Sequence, residues 1–180
     1  MTFFEIRVPM WMWILSQVIG VISIILWFII YQQKDKARQL GLSSIANLLG
    51  VVTTFLVGNY VKAGTNAVNC AKNAIFSLTN KNNVTNKKIL FLLVCLFSII
   101  NVVVVVSIWT IWLDWVLLGM ALILNYGKAF GDIHWVKIPN MIWNILGLVY
   151  AMMFMSITGM ILHIVIISSI IIFYINTKVR

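Results

Sequence analysis

Apolar runs of about one membrane thickness alternate with short polar segments along almost the whole chain. A helix needs about 20 residues to cross a hydrocarbon core of roughly 30 Å. Six runs meet or approach that length and predict spanning helices. They are residues 11–31, 40–60, 89–108, 115–130, 139–155 and 157–176. The last two follow each other in hydropathy, and Ser156, Thr158 and Gly159 predict the turn between them.

A seventh segment, residues 63–79, is more polar than the other six. It holds Thr65, Asn66, Asn69, Lys72 and Asn73. Hydropathy leaves this segment undecided, but charge decides it, because Lys and Arg collect in short cytoplasmic loops. If the segment crosses, the basic segments 34–38, 81–88 and 128–137 share one side with the C-terminal tail. We therefore predict seven transmembrane helices, with the N-terminus outside and the C-terminus in the cytoplasm.

The composition agrees with a chain that is embedded in the membrane throughout. It is 62% hydrophobic and 9% charged, with a mean hydropathy of +1.03, which leaves too few polar residues to cover a soluble globule. The net charge of +9 is explained by orientation and by anionic lipid headgroups. Membrane lipids are thus the expected partners, and no nucleic acid is predicted.

The sequence also carries an internal repeat at an offset of 97 residues. Its first copy contains Ile45, Asn47, Leu49, Gly50 and Val52, which reappear as Ile142, Asn144, Leu146, Gly147 and Val149. The shared Asn-x-x-Gly pattern is the informative part, because aliphatic residues match easily by chance. The repeat predicts two parallel three-helix units, 1–81 and 111–180, joined by a linker helix in 82–110. Such parallel repeats occur in SWEET-type carriers.

Several short motifs resemble a known family. They are the run from Trp13 to Gly20, the basic loop after it, Ser43-Ser44 to Gly50, Gly58-Asn59-Tyr60 and Ala63-Gly64. Together they resemble the YgjV family of bacterial inner-membrane proteins, which is in turn similar to the SWEET and PnuC carriers of small metabolites. The resemblance implies a small helical bundle in the bacterial cytoplasmic (inner) membrane and a transport role. Similar sequences often carry Arg where this chain has Lys72-Asn73, so no guanidinium role is carried over.

The polar third helix is the main candidate for a binding site. Asn66, Asn69 and Asn73 fall on one helical face with Lys72 beside them, which fits either interhelical packing or a water-accessible binding surface. A lysine at mid-helix costs about 2.5–3.5 kcal/mol on insertion scales and needs a partner or a wet cavity. Lys72 therefore indicates an anionic or carbonyl-rich ligand, unless it stays uncharged or snorkels to the surface.

Other candidates are weaker. His163 falls at the repeat equivalent of Asn66, and Asn47 and Asn144 are expected to hydrogen-bond between helices. Trp13 and Trp143 could stack on a flat ligand, although interfacial or core packing is the commoner role. Cys70 and Cys95 are interpreted as small apolar residues rather than a disulfide or a metal pair.

These patterns favour a carrier or facilitator for a small polar metabolite, with an anionic one suggested by Lys72. The alternative is a membrane subunit or scaffold that transports nothing. No cofactor, metal or enzymatic activity is expected, since no nucleotide-binding or metalloprotease motif is present. The sequence leaves homo-oligomerisation open.

Overall fold

The computed structural model of the protein describes residues 9–56, 60–84, 86–108, 113–153 and 157–178. All regular secondary structure in these residues is helical, which confirms the predicted all-α class. The seven helices are α1 (Met10–Gln32), α2 (Lys36–Leu56), α3 (Tyr60–Lys81), α4 (Lys87–Ile108), α5 (Leu113–Phe130), α6 (His134–Met153) and α7 (Ile157–Lys178). The motif residues Gly58 and Asn59 and the predicted turn residue Ser156 lie outside the described residues.

Four of the helices are long and apolar enough by length and composition to cross a membrane, namely α1, α2, α4 and α7. Their outer surfaces are aliphatic and aromatic, as Ile25 on α1 and Leu92 on α4 show by being more than half exposed. In water such a surface would drive aggregation, whereas in a bilayer it faces lipid tails. Helix α3 differs from these four because amides and lysines interrupt its apolar residues.

Two aspartates set the starts of α2 and α6. The Asp35 carboxylate accepts hydrogen bonds from the backbone N–H groups of Ala37 and Arg38 at 3.0 and 3.2 Å. Asp132 accepts from His134 and Trp135 at 2.9 and 3.2 Å. A carboxylate at this position satisfies free N–H groups and opposes the positive end of the helix dipole. Both helices therefore begin a few residues before the predicted spans, which start at residues 40 and 139.

Six helices form a closed ring in the order α1, α2, α3, α5, α6 and α7, in which each helix packs on the next and α7 packs on α1. Helix α4 packs on α5, and its Leu90 and Phe97 join Phe76 of α3 in a buried apolar cluster. Inside, Leu40 of α2, Phe76 of α3, Ala129 of α5 and Val136 of α6 meet in a buried apolar cluster. Van der Waals packing of these side chains helps to hold together helices that are far apart in sequence.

One end of the bundle carries the basic segments 34–38, 81–88 and 128–137, and we call it the basic end. At this end Ser77 of α3 donates to the Ala37 carbonyl of α2 at 2.7 Å. Asn80 of α3 donates to the Lys128 carbonyl of α5 at 3.0 Å. Helices α3 and α5 thus both end where α2 begins, and the three basic segments lie together.

Candidate functional site

The pairing of α6 with α7 is built around Asn144, Gly147 and His163. The Asn144 side-chain amide donates through Nδ2 to the Asn140 carbonyl at 2.7 Å, so its Oδ1 is free to accept. His163 Nδ1 lies 2.8 Å from that Oδ1, which requires Nδ1 to carry the proton and donate. The imidazole occupies the space beside Gly147, where an added Cβ would lie 2.5 Å from His163 Cε1.

The pairing of α2 with α3 shares part of this arrangement, 97 residues earlier in the chain. Asn47 donates through Nδ2 to the Ser43 carbonyl at 2.6 Å, as Asn144 does to residue 140. Asn66 occupies the space beside Gly50, where an added Cβ would lie 2.9 Å from Asn66 Nδ2. Glycine lets the polar side chain of the neighbouring helix approach the backbone in both pairs. The glycine of the Asn-x-x-Gly motif thus has the same packing role in both helix pairs.

The junction of α3 and α5 holds two buried lysines, Lys72 and Lys128, which are 3% and 7% exposed. Lys128 Nζ donates to Asn73 Oδ1 at 2.7 Å, and the Lys72 charge is near enough to act on the Lys128 ammonium group. Within the described part of the chain, the Lys72 side chain makes no hydrogen bond and no ion pair. Two lysine side chains therefore share a protein interior, where holding both as charged ammonium groups without an anion would be costly at low dielectric.

No described acid lies beside these lysines. Asp35 and Asp132 are exposed and occupied at the N-termini of α2 and α6. Asp114, in the first turn of α5, is 14 residues before Lys128 and so about 21 Å away along the helix. An anion bound at the junction would therefore supply the compensating charge that these two lysines need when they are protonated.

Two further lysines close the basic end by binding backbone carbonyls across the ring. Lys137 of α6 is fully buried and donates to the carbonyls of Tyr31 and Gln33, at the end of α1, at 2.6 and 2.7 Å. Its Nζ also lies 2.8 Å from the centre of the Phe173 ring, a cation–π contact. Lys36 of α2 donates to the Gly131 carbonyl, just after α5, at 2.5 Å. Each ammonium group opposes the negative end of a helix dipole.

The junction of α1 and α7 is polar but fully paired. Ser169 of α7 donates to the Phe28 carbonyl of α1 at 2.7 Å. Gln32 Nε2 of α1 donates back to both the Ser169 hydroxyl and its carbonyl, at 2.9 and 2.8 Å. Ser169 is completely buried. This junction has the satisfied hydrogen bonding of a structural contact.

The residues singled out from the sequence thus divide into separate groups. Asn66 lies against Gly50, Asn144 and His163 meet beside Gly147, and Lys128 binds Asn73 next to Lys72. Asn144 makes the expected bond between helices, but Asn47 bonds only to the Ser43 carbonyl of its own helix within the described residues, so that expectation was wrong for Asn47. Asn69 is partly buried on α3, and Trp143 is partly buried on α6. Trp13 is 53% exposed on the outside of α1, where it faces the surroundings rather than the ring. Cys70 and Cys95 are free, and the described residues contain no cluster of His, Cys, Asp or Glu suited to a metal ion.

Sequence reasoning missed Lys128, Lys137 and Ser169 as parts of these junctions. The two lysines were assigned to a basic loop, and Ser169 is one hydroxyl in an apolar run. The 97-residue offset could have pointed to some of these positions. Ser169 stands 97 residues after Lys72, and Asp132 stands 97 residues after Asp35.

A helical bundle with an apolar outer surface and buried polar junctions defines an integral membrane protein. Among protein families, the family described as Imp-YgjV, bacterial inner membrane protein, matches residues 14–180. The chain belongs to this family, and its location is the bacterial inner membrane. No curated protein and no solved structure matches the chain. The similarity to SWEET and PnuC carriers stays a prediction.

Proposed function

We propose that this protein is a carrier or facilitator for a small polar metabolite. In this proposal α1–α3 and α5–α7 are two parallel three-helix units, α4 links them, and the solute binds between them. All seven helices cross the membrane, the N-terminus is outside, and the basic end faces the cytoplasm. The alternative is a subunit or scaffold whose polar junctions only hold the bundle together.

The observation that carries the proposal is the exchange of lysines between the two units. Lys36 of the first unit binds the end of α5 in the second, and Lys137 of the second binds the end of α1 in the first. A two-fold rotation about the membrane normal relates α1 to α5 and α2 to α6, and therefore relates these contacts by helix. In the 97-residue alignment Lys36 corresponds to Ile133, one turn before Lys137.

The helix contacts support the same rotation. It exchanges the α1–α2 pair with α5–α6, the α2–α3 pair with α6–α7, and the α1–α7 pair with α3–α5, and all six pairs are in contact. The Asn–Gly motifs and the aspartate caps recur at the matching offset of 97 residues. A pseudo-symmetric pair of units is the arrangement in which one unit can rock against the other around a fixed site.

The position of the lysine contacts between the two units suggests how alternating access would work. The lysine contacts hold the basic end closed, so opening toward that side requires Lys36 and Lys137 to leave their carbonyls. Both ammonium groups can then be hydrated by water that enters the opening, which lowers the cost of breaking the bonds. The chain encodes no nucleotide-binding motif, so net flux runs down a gradient.

Spin-label distances across the basic end test the two-state behaviour without a known substrate. Labels at Arg38→Cys and Ile138→Cys, which are exposed positions in different units, report on opening. A background without Cys70 and Cys95 removes the native thiols. In liposomes a carrier gives two distance populations for this pair. Labels at Arg38→Cys and Lys81→Cys, within the first unit, give one.

Breaking a lysine contact at the basic end should shift the equilibrium between the closed and open populations. Adding Lys137→Met to the cross-unit pair should increase the population with the longer distance, because the α1 end loses its cationic partner. A single unshifted population, with Lys137 intact or replaced, contradicts the carrier and supports the scaffold.

A further inference from the structure

Beyond the polar path of a carrier, the α3–α5 junction has the composition of an anion site. It combines two ammonium groups with one side-chain amide, all at least nine-tenths buried. Because Asn73 accepts from Lys128 through Oδ1, its amide is oriented so that the NH₂ end remains a donor. Lys72 contributes a third donor group, which the described residues do not engage. All three groups can donate, and an anion at the junction would favour the protonated, positively charged form of both lysines.

We infer that Lys72, Asn73 and Lys128 bind the anionic oxygens of a small solute, a carboxylate or phosphate group. The inference rests on the proposed carrier function and names its substrate class. Lysine ammonium groups act as point charges rather than as a planar fork, so they accept either kind of anion. A lipid headgroup carries the same oxygens, but both lysines are covered by protein rather than by the outer surface of the bundle.

The repeat offers an internal comparison for this assignment. Ser169 is the repeat equivalent of Lys72. Its hydroxyl donates a hydrogen bond to the Phe28 carbonyl and accepts one from Gln32 Nε2. The bundle can therefore close the matching junction with neutral groups and no charge. A cation at position 72 is not needed to join these helices, which favours a ligand as the reason for its presence.

Binding can be measured with soluble probes in nanodiscs of phosphatidylcholine. The probes are lactate, malate and inorganic phosphate, with lactamide and choline as neutral and cationic references. Added chloride salt keeps the ionic strength constant in all measurements. Tryptophan fluorescence follows thermal unfolding in the wild-type protein and in Lys72→Met, Lys128→Met and Lys88→Met. Lys88 is an exposed lysine at the basic end and serves as the matched control.

We expect at least one anion to raise the unfolding midpoint saturably in the wild type and in Lys88→Met. The apparent Kd of that anion should be about tenfold larger or more in Lys72→Met and Lys128→Met, since each variant loses a charge-assisted hydrogen bond to the anion. Lys72→Arg keeps the charge and should retain most of the binding. This variant also keeps the test valid if Lys72→Met does not fold.

Three results would overturn the inference. One is an equal response of all four proteins, and another is stabilisation by lactamide or choline as strong as by the anions. The third is an effect of Lys72→Met only in nanodiscs that contain phosphatidylglycerol, which would assign the junction to a lipid headgroup.

Flux measurements separate this inference from the carrier proposal. Proteoliposomes are loaded with the anion that binds, and exchange with labelled external anion is followed. Anion binding together with one unshifted spin-label population and no exchange upholds the site and contradicts the carrier. Two spin-label populations without any anion response uphold the carrier and contradict the site.

Discussion

The α1–α7 and α3–α5 junctions correspond to each other in the proposed repeat, but their chemistry is opposite. At α1–α7, Ser169 is sealed and its hydroxyl both donates to and accepts from α1. At α3–α5, the equivalent position is Lys72, which is buried beside a second lysine. The α1–α7 junction shows what simple attachment requires, which is a few neutral hydrogen bonds. The charge at α3–α5 exceeds that requirement, so we interpret this junction as the functional one.

The most severe test of the comparison moves the lysine to the sealed junction. Ser169→Lys should destabilise the protein by about 3 to 5 kcal/mol, because it removes two hydrogen bonds and buries a charge without a partner. Fluorescence-detected size exclusion after heating would measure the loss in detergent. Ser168→Lys, at the exposed neighbouring position, is the control. If Ser169→Lys were as stable as the wild type, the two junctions would accommodate a buried lysine equally well.

The next effect concerns Lys137, which ties the second unit to the end of α1. Lys137→Met should lower stability by about 2 kcal/mol, since two carbonyls at a helix end lose a charged donor. Lys88→Met, at an exposed lysine, should change it by less than about 0.5 kcal/mol. Urea unfolding followed by tryptophan fluorescence compares the two. Equal small effects would remove Lys137 as a closing contact.

A smaller effect separates the two Asn–Gly motifs. Gly147→Ala should cost about 1 to 3 kcal/mol because the new methyl group meets the His163 ring. Gly50→Ala should cost less, because the methyl group meets the end of the Asn66 side chain, which can rotate away. Gly119→Ala, where no atom lies within 4 Å, is the neutral control. If Gly50→Ala were the more damaging change, our account of both motifs would be wrong.

The smallest stability effect should come from making the two junctions alike. Lys72→Ser removes a buried charge, so we expect stability to stay within about 1 kcal/mol of wild type or to rise. Thermal unfolding without added anion measures this effect. A loss as large as that of Ser169→Lys would mean that Lys72 holds the bundle together, and the contrast between the junctions would disappear.

Much of the helical architecture could be predicted from the apolar pattern. Segments 11–31 and 157–176 lie within the observed α1 and α7, and even the polar segment 63–79 lies within α3. Hydropathy marks the apolar part of a helix and not its capped end. For that reason α2 and α6 begin earlier than predicted, at residues that Asp35 and Asp132 cap.

The candidate site was predictable only in part. Lys72 and Asn73 stood out because polar residues are conspicuous in an apolar helix. Their partner Lys128 did not, because a lysine near a helix end usually reaches outward to water. In α5 the side chain leans toward the N-terminus of its helix, and α5 ends at the basic end. Lys128 therefore points into the bundle and reaches Asn73.

The amino-acid sequence alone is enough to identify a helical membrane protein, because lipid requires long apolar helices with internally bonded backbones. Its family match places it in the bacterial inner membrane. The sequence also determined the paired motifs at the 97-residue offset, since these are local patterns. Which lysines are buried, and which groups they face, depends on the packing of the helices. That outcome depends on helices brought together from distant parts of the chain. Neither the charge nor the hydropathy of a single segment contains it.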